Sequence, residues 1–355
     1  MSEQTTQGTA GVPTASEAPS PSGPPDGRET SGIRRLLSGS VGRSLGLVVA
    51  LLLLVIVGAI TAPDTFLSVS NTLTILRQAS ILGVVAVGMT LVITAGGIDL
   101  SVGSVLGLAS VVATLAVIQD LADQIHWIVM IVIALLVGVA AGLINGIVIA
   151  YGKVVAFMAT LAMLIAARGL AETLAERRTL QVKDRDFVRF INLDILGVDM
   201  LIWIFAVVAV IGWVLLNRTT FGRRTVAIGG NREAARLAGI NVKRHTMWLY
   251  AISGLCAGIG AVMILGRTTA GTSTHGQLLE LDAIAAVVVG GTLLIGGRGT
   301  ITGTVLGVLI FATLSNVFVQ NNLSSSVQAV AKGIIIVIAV LLQQRFAKPA
   351  GARST

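Results

Sequence analysis

Charge is what this sequence has least of. Asp, Glu, Lys and Arg make up 12% of its 355 residues, about half the share found in soluble domains. With 54% of the chain hydrophobic and a mean hydropathy of +0.89, a water-soluble fold of this length could not hide its apolar surface. Lipid is left as the solvent for most of it. Aromatic residues stop at 4%, which argues against a rigid core of large rings. The single cysteine, Cys256, excludes a disulfide framework. The three histidines, His126, His245 and His275, are widely separated and lack ligand spacing, so neither a metal site nor a cofactor is expected. Proline is missing between Pro63 and Pro349, so breaks in helices must be made by glycine. No phosphate-binding loop of the form G-x-x-x-x-G-K-S or G-K-T occurs. No nucleophile–base pair stands out either, and the chain is not expected to be an enzyme.

Glycine is what it has instead, 41 residues of it, and small residues let helices approach closely in lipid. The formal charge of +8 invites a nucleic-acid reading. The basic residues, however, lie between apolar runs and form no single patch, so no nucleic-acid partner is expected. Residues 1–32 read as a disordered tail, rich in Gly, Pro, Ser and Thr and holding five of the seven prolines. Arg34, Arg35 and Arg43 then lead into an apolar run longer than a signal-peptide core, with no small-residue cleavage site after it. It reads as a retained first helix with a cytoplasmic N-terminus.

A spanning helix needs roughly 20 apolar residues. Apolar runs fall at 45–62, 79–96, 101–118, 127–150, 154–174, 199–216, 246–266, 283–295, 301–319 and 327–343, the eighth too short to span comfortably. Lys and Arg set the sidedness. The 217–245 loop carries Arg218, Arg223, Arg224, Arg232, Arg236, Lys243 and Arg244 against Glu233 alone; the opposite-side loop at 119–126 carries Asp120 and Asp123 and no Lys or Arg. Lys153 and Arg298 fall on inside turns, and Arg345, Lys348 and Arg353 put the C-terminus inside as well. The expected fold is therefore all-α, a polytopic membrane domain over 33–345 with about ten transmembrane helices. A cytoplasmic loop is expected at 217–245 and a cytoplasmic tail at 346–355, with both termini cytoplasmic.

Two distant stretches look alike. Val87 to Ile93, then Gly96-Gly97, then Gly103 to Gly107 parallels Val289 to Ile295, Gly296-Gly297 and Gly303 to Gly307. Each is an apolar helix, a double-glycine break and a second helix opening on a G-x-x-x-G face. Helices broken in corresponding positions of a repeat point to a transport pathway. Chance similarity in a Gly/Val/Leu-rich alphabet is the alternative. The sidedness above gives both copies the same orientation, a parallel pseudo-repeat.

Within the 217–245 loop, Glu233-Ala-Ala-Arg-Leu-Ala-Gly239 has the form E-A-A-x-x-x-G. Asn231 suits the cap of a short helix, Glu233 its first turn and Gly239 its end. This motif resembles the coupling motif of bacterial import permeases, against the alternative of a solvated amphipathic loop helix. Further motifs follow across residues 45–343. They are Gly97-Ile-Asp-Leu-Ser-Val-Gly103, Gly138-x-x-x-Gly142-x-x-Asn145-Gly146, and Thr160-Leu161 with Arg168-Gly169-Leu170. Ala227-Ile-Gly-Gly-Asn231 continues to Gly239-Ile240, and Glu280-Leu-Asp-Ala-Ile-Ala-Ala286 is followed by Gly290-Gly-Thr292 and Gly296-Gly-Arg-Gly299. Together they resemble the ribose-type (monosaccharide) permeases of ATP-binding cassette (ABC) importers, the inner-membrane component of binding-protein-dependent transport. The chain departs from the family in lacking proline before Thr160-Leu161 and in the loop before Glu280, and its N-terminal tail has no counterpart there.

The resemblance implies a permease subunit that translocates a monosaccharide or related small polar solute across the bacterial cell membrane. It implies a homodimer in membrane lipid, a cytoplasmic ABC ATPase subunit that supplies the energy, and an extracytoplasmic solute-binding protein. The ATPase-coupling residues would be Asn231, Glu233, Ala234, Ala235, Arg236 and Gly239. The candidate translocation path comprises Asp99, Ser101, Asn145, Thr160, Thr292 and Asn316. Asp99 equally suits a cap for the helix starting near Ser101, and Asn145 suits helix packing. Glu280 and Asp282 suit either contact with a binding protein or a cap of the short eighth helix. Arg168 is read as snorkelling to the interface or pairing with Glu172. A branched-chain amino-acid-type ABC permease is the nearest rival, an ion-coupled secondary transporter the next, and a membrane receptor or scaffold the non-transport one.

Overall fold

The structure, a computed structural model, describes residues 40–347. The tail expected at 1–32 lies outside the described residues, as does most of that expected at 346–355. Arg43–Thr355 forms one compact unit; of the other, Met1–Gly42, only the last residues are described. The helices in order are α1 (Ser40–Thr61), α2 (Val69–Thr94), α3 (Val102–Ala113), α4 (Ala116–Gln124), α5 (Ile128–Ala150) and α6 (Ala156–Leu174). After α7 (Arg185–Ile191) come α8 (Met200–Arg218), α9 (Thr220–Gly230), α10 (Arg232–Leu237) and α11 (Val242–Thr268). The last are α12 (Leu279–Val289), α13 (Ile301–Gln320) and α14 (Ser325–Ala347). Two antiparallel pairs of two-residue strands trim one face: β1 (Leu180–Gln181) with β4 (Ala270–Gly271), and β2 (Asp194–Ile195) with β3 (Val198–Asp199).

Among the described residues, six helices are long and apolar enough to cross a membrane, namely α2, α5, α6, α8, α11 and α13. The pair α3–α4, bent by 57°, makes up to seven, and Leu45–Thr61 is a shorter apolar helix. The all-helical membrane bundle is therefore present. Several runs have different limits from those expected. α2 starts at Val69, well before 79, because its polar first turns are answered from elsewhere: Ser68 caps it by accepting from Asn71 N at 3.1 Å, and Arg77 pairs with Asp199 at 2.7 Å. The run at 101–118 is cut between Ala113 and Ala116, where the Thr114 hydroxyl donates back to Ser110 O at 2.8 Å. The run at 283–295 ends at Val289. The 175–198 loop contains α7, which Asp184 caps by accepting from Asp186 N and Phe187 N at 2.9 Å, and it buries Phe187 and Ile191.

Helix directions follow from paired ends. Asn71 at the start of α2 hydrogen-bonds Asn316 near the end of α13 (2.8 and 3.1 Å), whereas Thr90 and Thr304 meet at 2.7 Å near the opposite ends. Thr61 receives a bond from Asn321 at 3.0 Å, so α1 ends on the same face as α13. The two copies of the repeat run in the same sense. α2 and α12 descend to one face, their double-glycine turns touch there, and α3 and α13 climb away; Gly297 N donates to Thr94 O at 2.9 Å.

The tightest pair is α5 against α11. On α5, Gly138 faces Gly254 and Gly258, Gly142 faces Tyr250, and Gly146 faces Met247; a Cβ on Gly142 or Gly254 would overlap a carbonyl oxygen of the other helix. Gly142→Val is expected to destabilise the fold by about 1–3 kcal/mol through overpacking, read as earlier thermal unfolding in detergent. Gly169→Ala, where an added Cβ meets nothing within 4 Å, should leave the melting curve in place.

Candidate functional site

The charged 217–245 segment is folded, not looped. Thr219 caps α9 by accepting from Gly222 N at 3.3 Å, and α9 buries Gly222, Thr225 and Ile228. Thr225 and His245 of α11 hydrogen-bond at 2.8 Å. α10 follows immediately. Asn231 caps it through Oδ1 from Ala234 N at 2.9 Å, and Gly239, at φ +82°, ends it. Ile240 N donates to Ala235 O and Gly239 N to Arg236 O, the paired bonds of a Schellman stop. Ala235 anchors the helix in a small apolar cluster with Ile228 and Val242. The outward side carries Glu233, Arg236 and Leu237, the last 74% exposed. Arg236 grips both Glu233 oxygens, with Nε at 3.1 Å from each, and holds that carboxyl below its ordinary range. Leu237 was missed from sequence; its signal is a large apolar residue on a short helix amid charges.

The end of α9 presses on the repeat. A Cβ on Gly229 would overlap both Thr94 O and Gly297 N. Gly96, Gly296 and Gly297 all take positive φ (+79°, +85° and +77°), which glycine alone adopts freely. Three double glycines (96-97, 229-230 and 296-297) thus meet backbone to backbone where α2 ends and α13 begins.

Above them lies a buried polar cluster at the start of α3. Asp99, 1% exposed, accepts from Ser101 N (3.0 Å) and Ser101 Oγ (2.6 Å) through Oδ1, and from Ser253 Oγ of α11 (2.8 Å) through Oδ2. Asn145 of α5 donates to Ser101 Oγ at 2.9 Å. Thr160 of α6 donates to Ile98 O at 3.4 Å, and Tyr250 donates to the same carbonyl at 3.3 Å. Asp99, Ser101, Asn145 and Thr160 are therefore one cluster tying four helices together, with Ser253 and Tyr250 as members that sequence reasoning missed. Asp99 fixes Ser101, the residue just before α3, and bridges to α11 at once; no side chain caps α3 itself.

Thr292 and Asn316 are elsewhere. Thr292 accepts from Thr300 N at 3.2 Å in the turn before α13, and Asn316 belongs to the Asn71 pair at the far end of the bundle. Glu280 is buried, its Oε2 packed against Gly103 and without a hydrogen bond; no side chain caps α12. Asp282 pairs with Lys332 of α14 at 2.8 Å. Arg168 does not pair with Glu172, which faces Arg177 at 3.7 Å. Its guanidinium reaches the carbonyls of Ser273 and His275 instead, which the loop before α12 brings against α6. Among the described residues no group of three or more His, Cys, Asp or Glu could hold a metal ion.

A family model described as branched-chain amino acid transport system / permease component matches residues 71–340. The ribose import permease protein RbsC of Haemophilus influenzae is 39% identical over 297 residues, 82% of this chain and 90% of the relative. The RbsC of Bacillus subtilis is 40% identical over 314 residues, 88% and 96% of the two chains. The L-arabinose transport system permease protein AraH of Escherichia coli is 37% identical over 314 residues, 86% and 92%. No solved structure matches.

Asp99→Leu is expected to strand the Ser101 and Ser253 groups and to lower stability by about 1–3 kcal/mol. Asp99→Asn keeps an acceptor for Ser101 and should melt much closer to the parent. His275, in the loop before α12, is pushed down from the usual 6.5 to about 4 by burial, with Arg168 adding to the effect. The unfolded chain then binds the proton first, so this contribution is complete above pH 6.5 and is lost as pH falls towards 4. Melting temperatures between pH 7 and 5 should fall more steeply in the parent than in His275→Gln.

Proposed function

The chain belongs to the family of ribose-type permeases of ABC importers, a multi-pass component of the bacterial cell membrane, and from that premise we propose that it carries a monosaccharide. The observation that carries the coupling half of this reading is α10, capped at Asn231, stopped at Gly239, anchored by Ala235 and presenting Glu233, Arg236 and Leu237 outward. A rigid short helix of that kind suits the grip of a soluble ATPase, and the ATPase, not this chain, hydrolyses ATP. The face bearing α9 and α10 is then cytoplasmic. The ten apolar runs of residues 33–345 cross or enter the bilayer, α12 only part way, and both termini lie inside. α1 and α13 ending on one common face supports that sidedness.

In this reading two copies enclose the path, and an extracytoplasmic binding protein delivers the solute. ATP-driven closure pushes α10, and the α9 backbone passes the displacement to Thr94 and Gly297, hence to α2 and α13. Nucleotide states must favour different permease conformations for this to drive transport. Asp99, Ser101, Asn145 and Thr160 suit the lining of the path better than Thr292 and Asn316, which serve a turn and a far-end pair. Glu280, being buried, suits neither a docking contact nor a cap, and Asp282 suits a tie to α14.

The sugar rests on the names of the relatives, and a branched-chain amino acid is the second reading, favoured by the description of the family model. Reconstitution with ATPase and binding protein, using ribose, arabinose and leucine as solutes, separates them. Uptake is expected for a pentose, only with ATP, and at background in Glu233→Lys/Gly239→Pro; leucine uptake would reassign the solute. Uptake without ATP, or unaltered in the double variant, would remove the coupling role of α10.

A further inference from the structure

Between α10, the α5–α6 turn and the neighbouring ends of α2 and α11 lies a cavity of about 620 Å³, a volume typical of ligand sites. Its lining is largely apolar, with Val92, Ile149 and Leu249 buried and Val154 and Val155 exposed. Its rim is basic, with Lys153, Arg232, Arg236 and Lys243. The one acid lining it, Glu233, is already held by Arg236. Lys153, Arg232 and Lys243 have no carboxylate partner among the described residues.

The position decides which anion suits it. Tyr151 and Trp248, 50% and 45% exposed, stand near this face, as aromatic residues do at a lipid–water boundary. Lys243 Nζ lies over the Tyr151 ring, 5.8 Å from its centroid. Val154 and Val155 line the cavity and are exposed, and next to them Ile147, Val148, Phe157 and Met158 are exposed too. A soluble phosphorylated solute would meet the same cations but few hydroxyls, since Tyr250 already donates to Ile98 O. Apolar wall, basic rim and interfacial depth together match an amphiphile, and basic pockets between helices on the cytoplasmic side are where anionic headgroups bind.

We propose that this cavity binds the phosphate of an anionic phospholipid from the inner leaflet, held by Lys153, Arg232 and Lys243 with an acyl chain along Val154 and Val155. The proposal rests on the sidedness argued above but not on the solute or the ATPase. Since Arg232 opens α10, an occupied site ties the coupling helix to the bilayer.

The test is lipid retention by the full-length permease, read by native mass spectrometry as phosphatidylglycerol or phosphatidylcholine is titrated in. The parent should retain phosphatidylglycerol selectively. Lys153→Gln/Arg232→Gln/Lys243→Gln should bind it about a hundredfold more weakly, each lost cation being worth roughly fivefold. Arg177→Gln/Arg178→Gln, remote from the cavity, should bind as the parent does. If the triple variant elutes abnormally, Lys153→Gln alone, in an exposed turn, should show a loss of about fivefold. Equal retention of the two lipids, or parent-like binding by a folded triple variant, overturns the proposal. Displacement of the lipid by glycerol phosphate at matching concentration assigns the site to a soluble phosphate instead. Displacement by added ATPase subunits assigns the cavity to the ATPase, and either result overturns the lipid assignment.

Discussion

Helices immersed in lipid gain nothing by hiding apolar side chains from it, so this bundle depends on how closely backbones approach. Glycine sets that distance. Gly138, Gly142 and Gly146 let α5 lie against α11, Gly103 meets Gly276, and Gly290 meets Gly303. Close approach allows dispersion contacts in numbers that larger side chains would prevent, and it also brings short polar side chains within bonding distance. Asn145 reaches Ser101, and Ser253 reaches Asp99, because the helices carrying them are already nearly touching.

The polar groups inside form separate tied clusters. One gathers Asp99, Ser101, Ser253 and Asn145 around the start of α3; another joins Asn71, Asn316 and Gln320 at the far end of α2. Both replace bonds to water that the surroundings do not offer. Three donors occupy the two oxygens of Asp99, so a passing solute would have to exchange with a hydroxyl already bound there.

Local pattern carried much of this architecture into the sequence. The apolar runs, the double-glycine repeat and the cap-and-stop spacing of Asn231 and Gly239 depend only on neighbours along the chain. What stayed hidden depends on partners far away. The polar opening of α2 reads as a loop until Asp199 answers Arg77 and Asn316 answers Asn71. α9 reads as a charged loop because its buried face needs His245 and the glycine turns to cover it. Arg168 offered Glu172 four residues on, the nearest acid in sequence, yet the carbonyls of Ser273 and His275 are what the fold delivers to it. Ser253 and Tyr250 sit in the largely apolar middle of α11, and nothing local marks them as neighbours of Asp99.

The meeting of Gly96, Gly229 and Gly297 has a mechanical meaning. Where side chains separate two moving parts, the first part of any displacement is absorbed by rotamer changes. Here bare peptide touches bare peptide, and there are no rotamers to turn. A shift at the end of α9 must therefore reach Thr94 and Gly297 almost undiminished, as in a gear train cut without backlash.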